Sequence, residues 1–498
     1  MMTTKKRSLR GRTTWLVAGM TVAALAGMIP AASAAQGGQV QGRQAEDGKP
    51  VWRDCAGQDM PAGMRCAAIE VPVDWARPNG SKITLDLARL PATEPARRIG
   101  SVLGIPGGPG TRGIEDLQRA AADLTELGRR FDLVAYNPRN AVWRDRLPQS
   151  CMQPAASLSD PRDEKAYKAL TVAMTKAFTA CQKADKSGLF SRMDSLSVAR
   201  DMEAVRKSLG EERLSFMANS YGGVPAAAYA RLFPQRIRAM YLDGVINQVD
   251  GWPDQLMRLL PLQEQAFTRF TTWCADTPAC ALHGEDAGAV WRELTRDADR
   301  RPIPVTSEFG KELTGWHLRS FGFIGDPGEG HSRWLAFAEA VDKARGGDGS
   351  GFADSALGNT RVWAMPGMLA MTCADDRGYS SYAQLQEFRR QTRKISPNFG
   401  GGASFDALGC AGWPLRIANP PRPLPTRGLP PFLGVGSTWG DHVWTESFTR
   451  MIPGSVTVAY EGPGHALYLM GKKCPIRHAT TYLTDLRLPK PGTTCPAE

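Results

Sequence analysis

The stretch Leu214-Ser215-Phe216-Met217-Ala218-Asn219-Ser220-Tyr221-Gly222-Gly223 limits what this chain can fold into more than any other, because a short apolar run enters a serine crowded by small residues. A helix starts at once, with Pro225 in its first turn and Ala226, Ala227, Ala228, Tyr229, Ala230 and Leu232 behind it. A strand that bends this sharply into a helix projects the serine hydroxyl from the turn. Small neighbours are needed there because larger side chains would collide with the adjoining strand and helix. Gly222 supplies one small position of a G-x-S-x-G pattern, and Ala218 stands where the pattern has its other glycine. The blander account is a serine in an ordinary turn, which small residues also favour.

Three further segments favour a nucleophilic role for Ser220. The run Leu103-Gly104-Ile105-Pro106-Gly107-Gly108-Pro109-Gly110 follows a predicted strand and can present bare backbone N–H groups. An acyl-transfer oxyanion needs two such donors, commonly the amide after the nucleophile and one from a glycine-rich loop; Tyr221 and Gly108 are the candidates. The β-rich run Val456 to Glu461 ends in Gly462-Pro463-Gly464-His465. Of six histidines, His465 is the one at a strand end with glycines on its approach, which suits a general base. Asp441 lies between the strand Pro431 to Gly436 and the helix predicted from Val443. It is the candidate acid that orients the imidazole, with Asp243 at the end of Met240-Tyr241-Leu242 as a fallback for which a structural role is the favoured account. The order serine, acid, histidine is that of an α/β-hydrolase.

These residues resemble the secreted bacterial tripeptidyl aminopeptidases, relatives of the proline iminopeptidases, and the resemblance covers nearly the whole mature chain. It rests on Pro106-Gly107-Gly108-Pro109-Gly110, Phe131-Asp132-Leu133-Val134 before Asn137-Pro138-Arg139, and Ser197 to Arg206 with Leu209-Gly210 ahead of the serine turn. Tyr241-Leu242-Asp243-Gly244-Val245, Cys410-Ala411-Gly412-Trp413-Pro414 and Gly464-His465 with Cys474 complete it. It implies an α/β-hydrolase fold, a mostly parallel central sheet with an inserted, mostly helical cap, and cleavage of short peptides from a free amino terminus through a serine acyl-enzyme. The chain departs from the family at Asn137-Pro138-Arg139-Asn140-Ala141-Val142-Trp143-Arg144, where the family shows D-P-R-G-x-G-x-S, and at Ala218. In the acid loop the pattern G-T-x-D aligns with Ser437-Thr438-Trp439-Gly440, leaving Asp441 one residue late.

The amino end carries Lys5, Lys6, Arg7, Arg10 and Arg12, an apolar run from Trp15 to Ile29, then Ala32-Ser33-Ala34. This pattern predicts a signal peptide over residues 1–34, with an apolar part short for a retained anchor, and hence a secreted, extracellular protein. Residues 35–50 are polar and expected to be disordered. Five positive charges and no negative ones lie in residues 1–34, so the formal net charge falls from +11 to +6 on their removal. The remaining Lys and Arg are scattered without a basic stripe, which does not argue for nucleic acid; no nucleic-acid partner, and no membrane contact after signal removal, is expected. The ten cysteines, an even number, predict disulfides in an oxidising compartment. Proximity along the chain suggests Cys55 with Cys66, Cys151 with Cys181, Cys274 with Cys280, Cys373 with Cys410 and Cys474 with Cys495. No C-x-x-C pair or His cluster points to a metal, and no cofactor is expected.

The chain exceeds a usual single core. The motif positions divide it into a first core part, 51–246, an inserted helical cap, 247–427, and a second core part, 428–498. The cap carries the candidate substrate-binding carboxylates Asp375, Asp376 and Glu264, which could pair with a substrate ammonium; surface solvation is the competing account. Its tryptophans, including Trp252, Trp273, Trp334 and Trp363, are candidates for an apolar pocket or simply for core. The expected partner is a small-molecule or short-peptide substrate. Two alternatives stand beside a peptidase: an enzyme of specialised metabolism acting on an ester, lactone or reactive intermediate, and a non-catalytic binding protein on the same fold.

Overall fold

The computed structural model describes residues 49–498 apart from 58–59, 156–159, 324 and 403–404. The expected signal peptide, and all but residues 49–50 of the polar segment behind it, lie outside the described residues.

Strands β1 (Arg53–Asp54), β2 (Arg65–Pro72), β3 (Lys82–Leu90), β4 (Gly100–Ile105), β5 (Phe131–Tyr136), β6 (Leu214–Asn219) and β7 (Ile237–Asp243) belong to the first half of the chain. A small antiparallel ladder, β8 (Ile303–Pro304) and β9 (Glu312–Leu313), stands apart. Strands β10 (Leu433–Ser437), β11 (Val456–Glu461) and β12 (Thr494–Pro496) then complete one ten-stranded sheet in the order β1-β2-β3-β5-β4-β6-β7-β10-β11-β12. From β5 to β12 every neighbouring pair is parallel, while β1, β2 and β3 add an antiparallel edge. Strands covered by helices on both faces need apolar residues at successive positions rather than alternate ones. All residues of β5, β6 and β10 are indeed buried.

The connection from β7 to β10 is mostly helical. It contains the long helix Trp252–Asp276 and the helices Ala287–Arg300, Ser332–Arg345, Pro366–Cys373 and Tyr382–Ile395. The Pro-rich return, 420–431, leads back into β10. All ten cysteines are paired as neighbours along the chain, Cys55–Cys66, Cys151–Cys181, Cys274–Cys280, Cys373–Cys410 and Cys474–Cys495.

Arg139, in the loop after β5, is fully buried. Its guanidinium meets both oxygens of Asp201 at 2.7 Å and donates to the carbonyls of Pro72, Val73 and Arg192. Asp201 lies in the helix Ser195–Ser208 and also accepts from the Trp75 indole. One saturated ion pair therefore fastens the end of β2, the β5 loop and this helix together, and losing one partner of such a pair costs about 3–5 kcal/mol.

Candidate active site

Parallel sheets gather their sites beyond the carboxyl ends of the strands, and the four segments singled out above all lie there. Ser220 directly follows β6 and has φ +53°, an unusual conformation for a residue with a side chain. The packing around it explains the small residues. A methyl group on Gly222 would lie 2.4 Å from the Ile105 carbonyl oxygen, and one on Gly223 2.1 Å from that of Ile246. Ala218, by contrast, sits inside β6 between Ile105 and Leu242, where a methyl group is simply core. The Ile246 amide donates to the Ser220 carbonyl and fixes the turn.

Gly107 is the point at which the glycine-rich loop presses on the serine: a methyl group there would lie 2.6 Å from Ser220 Cβ and 3.2 Å from its Oγ. Gly108 has φ +105°, open only to glycine, and a side chain on it would run into the amides of Gly110 and Thr111. The Tyr221 hydroxyl donates to the Met371 carbonyl in the helix Pro366–Cys373, so the residue after the serine ties the core to the β7–β10 stretch.

His465 Nδ1 lies 2.5 Å from Asp441 Oδ2. Asp441 begins the helix His442–Thr449, and its other oxygen accepts the Ser437 amide at 2.7 Å. The turn in which the Gly440 amide donates to the Ser437 carbonyl absorbs the one-residue lateness of this acid. Asp441 is 2% exposed and Ser220 3%. Ser220 Oγ and His465 Nε2 are both buried without a hydrogen-bond partner, so no hydrogen bond joins them in this structure and neither is engaged elsewhere.

Asp243, the fallback acid, has a different place. It is fully buried at the end of β7, and its oxygens accept the amides of Leu467 and Tyr468, each at 2.9 Å, and the Tyr241 hydroxyl at 3.0 Å. It therefore pins the backbone just beyond His465 rather than touching the imidazole. Burial pushes its carboxyl up to about 6, against the amides that favour the charged form. Beside it, Asn219 donates to the Tyr468 hydroxyl at 2.9 Å and faces Asp116, whose carboxyl burial also raises. Sequence reasoning missed Asn219 and Asp116, since only their long-range partners reveal a role.

A model of the alpha/beta hydrolase fold matches residues 100–303, and a model described as TAP-like protein matches residues 396–495. The chain has the α/β-hydrolase fold. The serine protease Hip1 of Mycobacterium tuberculosis is 28% identical over 506 residues, covering 92% of this chain and 93% of that protein. A tripeptidyl aminopeptidase of Streptomyces lividans is 26% identical, covering 78% and 74%. A carboxylesterase B of M. tuberculosis is 26% identical, covering 86% of each. Fold and relatives together make this α/β-hydrolase a serine hydrolase.

The three expected substrate carboxylates are differently placed in the hydrolase. Asp375 is 2% exposed and accepts the Ser195 amide with both oxygens. Glu264 accepts from the Ser396 hydroxyl and from the amide and side chain of Asn398. Asp376 accepts the amides of Trp252 and Gly378. Glu264 and Asp376 brace the β7–β10 stretch and Asp375 ties it to the helix Ser195–Ser208, because a carboxylate withdrawn from water needs donors, and here most come from residues distant in the chain. Trp334 and Trp363 are buried in the core cluster, and Trp252 and Trp273 pack on its edge. Among the described residues, Cys474, His478 and Cys495 come close enough for metal ligation, but the two sulfurs form a disulfide.

Proposed function

We propose that the hydrolase cleaves short peptides from their amino end through an acyl-enzyme on Ser220, outside the cell. His465 takes the proton of Ser220 as it attacks the carbonyl and returns it to the leaving amine. Asp441 holds the imidazole with Nε2 unprotonated and stabilises the imidazolium. The amides of Tyr221 and Gly108 bind the oxyanion. The stretch 247–427 acts as the cap over cores 51–246 and 428–498, and residues 1–34 serve as the export signal. Five disulfides support export, and no described helix is long and apolar enough to cross a membrane.

The pairing of a strained Ser220 with the His465–Asp441 contact carries this reading. Peptides are favoured by the relatives named tripeptidyl aminopeptidase and serine protease. The engagement of Asp375, Asp376 and Glu264 in internal hydrogen bonds keeps ester hydrolysis as a second reading, in line with the carboxylesterase relative. Rates on tripeptide p-nitroanilides with free and acetylated amino termini, beside p-nitrophenyl esters, separate the two. Faster release from free termini is expected. Turnover of esters with none of any peptide would overturn the peptidase proposal.

A further inference from the structure

Arg269 stands on the long helix Trp252–Asp276, half-buried, with its guanidinium carbon 4.3 Å from the centre of the Trp439 ring. Trp439 is in the turn that carries Asp441, two residues before it. No acid among the described residues pairs with Arg269, and its Nη1 is buried with no hydrogen-bond partner. Helix geometry offers none either, since the positions three and four away are Gln265, Ala266, Thr272 and Trp273. Other half-buried arginines differ: Arg319 meets Asp299 and Arg333 meets Asp326. Burial lowers the Arg269 pKa with no carboxylate to offset it, and a guanidinium this far from neutrality keeps its charge.

The wall beside it is aromatic. Trp439 lies parallel to Trp334 at 6.5 Å, and Trp334 packs on Trp273 and His331 at 5.5 Å each. A planar cation on an indole face, with no internal anion, is a receptor for an acceptor brought from outside. Its reach from the Ser220 turn follows from the helix. Leu259, on the same helix, shares an apolar cluster with Tyr221. Ten residues at a rise of ~1.5 Å put Arg269 about 15 Å further along. Three extended residues span roughly 10 Å, and a glutamate side chain on the third covers most of the rest.

We infer that Arg269, laid against Trp439 beside the acid loop, docks a carboxylate on the acyl part of the substrate, about three residues from the bond that is cut. The inference rests on the acyl-enzyme reading of Ser220 and names a preference of that site for acidic chains.

The test uses the mature protein and two tripeptide p-nitroanilides identical except for Glu or its isostere Gln at the residue farthest from the scissile bond. The wild type should favour Glu by about tenfold or more in kcat/KM, as one charge-assisted contact supports. The ratio should fall to about one in Arg269→Gln and be partly restored in Arg269→Lys. A ratio, unlike a rate, is unmoved by loss of folded protein. If the peptides are not turned over, their ability to slow fluorophosphonate labelling of Ser220 gives the same ratio. A wild-type ratio within about twofold of one, no protection by the Glu peptide, or an undiminished ratio in Arg269→Gln overturns the carboxylate subsite alone. Absence of any Ser220 adduct overturns the hydrolase mechanism and this inference with it.

Discussion

At the scale of single residues, the site is built by what is left out. Gly107 has no side chain because the space a methyl group would need is taken by Ser220 Cβ, at 2.6 Å, and Asn219 Oδ1, at 2.7 Å. Real Cβ atoms do not approach this closely, so Gly107→Ala must move either the loop or the serine. A displacement of ~1 Å costs on the order of 100-fold in rate. We expect Gly107→Ala to fold and to lose about that much kcat, read as initial rates on the preferred peptide; a rate within a few-fold of wild type would show that the loop can retreat without harm. The tight turn at Ser220 was legible in the sequence, because the demand for small residues is local. Glu264, Asp375 and Asp376 were not, because whether a carboxylate is free or spent depends on donors such as Asn398 and Ser195, far away in the chain.

Elements transmit this order to the histidine. The loop after β11 is held from below by Asp243 at the end of β7 and from behind by the Cys474–Cys495 bridge at the start of the helix Lys473–Asp485. Asp243 takes up its proton at about 6 in the folded protein, above the ordinary 3.8. Its contribution to stability is thus complete below pH ~4 and is lost as pH rises through about 6. Asp243→Asn does not titrate, so the Tm of wild type minus that of the variant should fall between pH 4 and pH 7. Melting curves of the two proteins across that range check it, and a difference that is flat or rises with pH contradicts it. The strand end Met240-Tyr241-Leu242-Asp243 and a structural part for Asp243 were visible in the sequence, but what it clamps was not. It depends on Leu467 and Tyr468 folding back over β7.

Over the whole molecule, the parallel sheet sets residues more than 200 positions apart at the carboxyl ends of its strands, Ser220 after β6 and Asp441 and His465 after β10 and β11. The order of motifs showed this architecture in advance, since buried parallel strands read as continuous apolar runs and the disulfides join neighbours along the chain. What the order could not show was how the one-residue shift at Gly440 would be absorbed, a matter of a single turn. The central claim, that Asp441 and His465 activate Ser220, is tested most directly by mapping fluorophosphonate adducts by mass and timing their formation in wild type, Ser220→Ala, Asp441→Asn and Asp243→Asn. The adduct should sit on Ser220, vanish in Ser220→Ala, and form on the order of 10⁴-fold more slowly in Asp441→Asn, with a far smaller change in Asp243→Asn. Labelling of Asp441→Asn at the wild-type rate, or an adduct on another residue, would contradict the account.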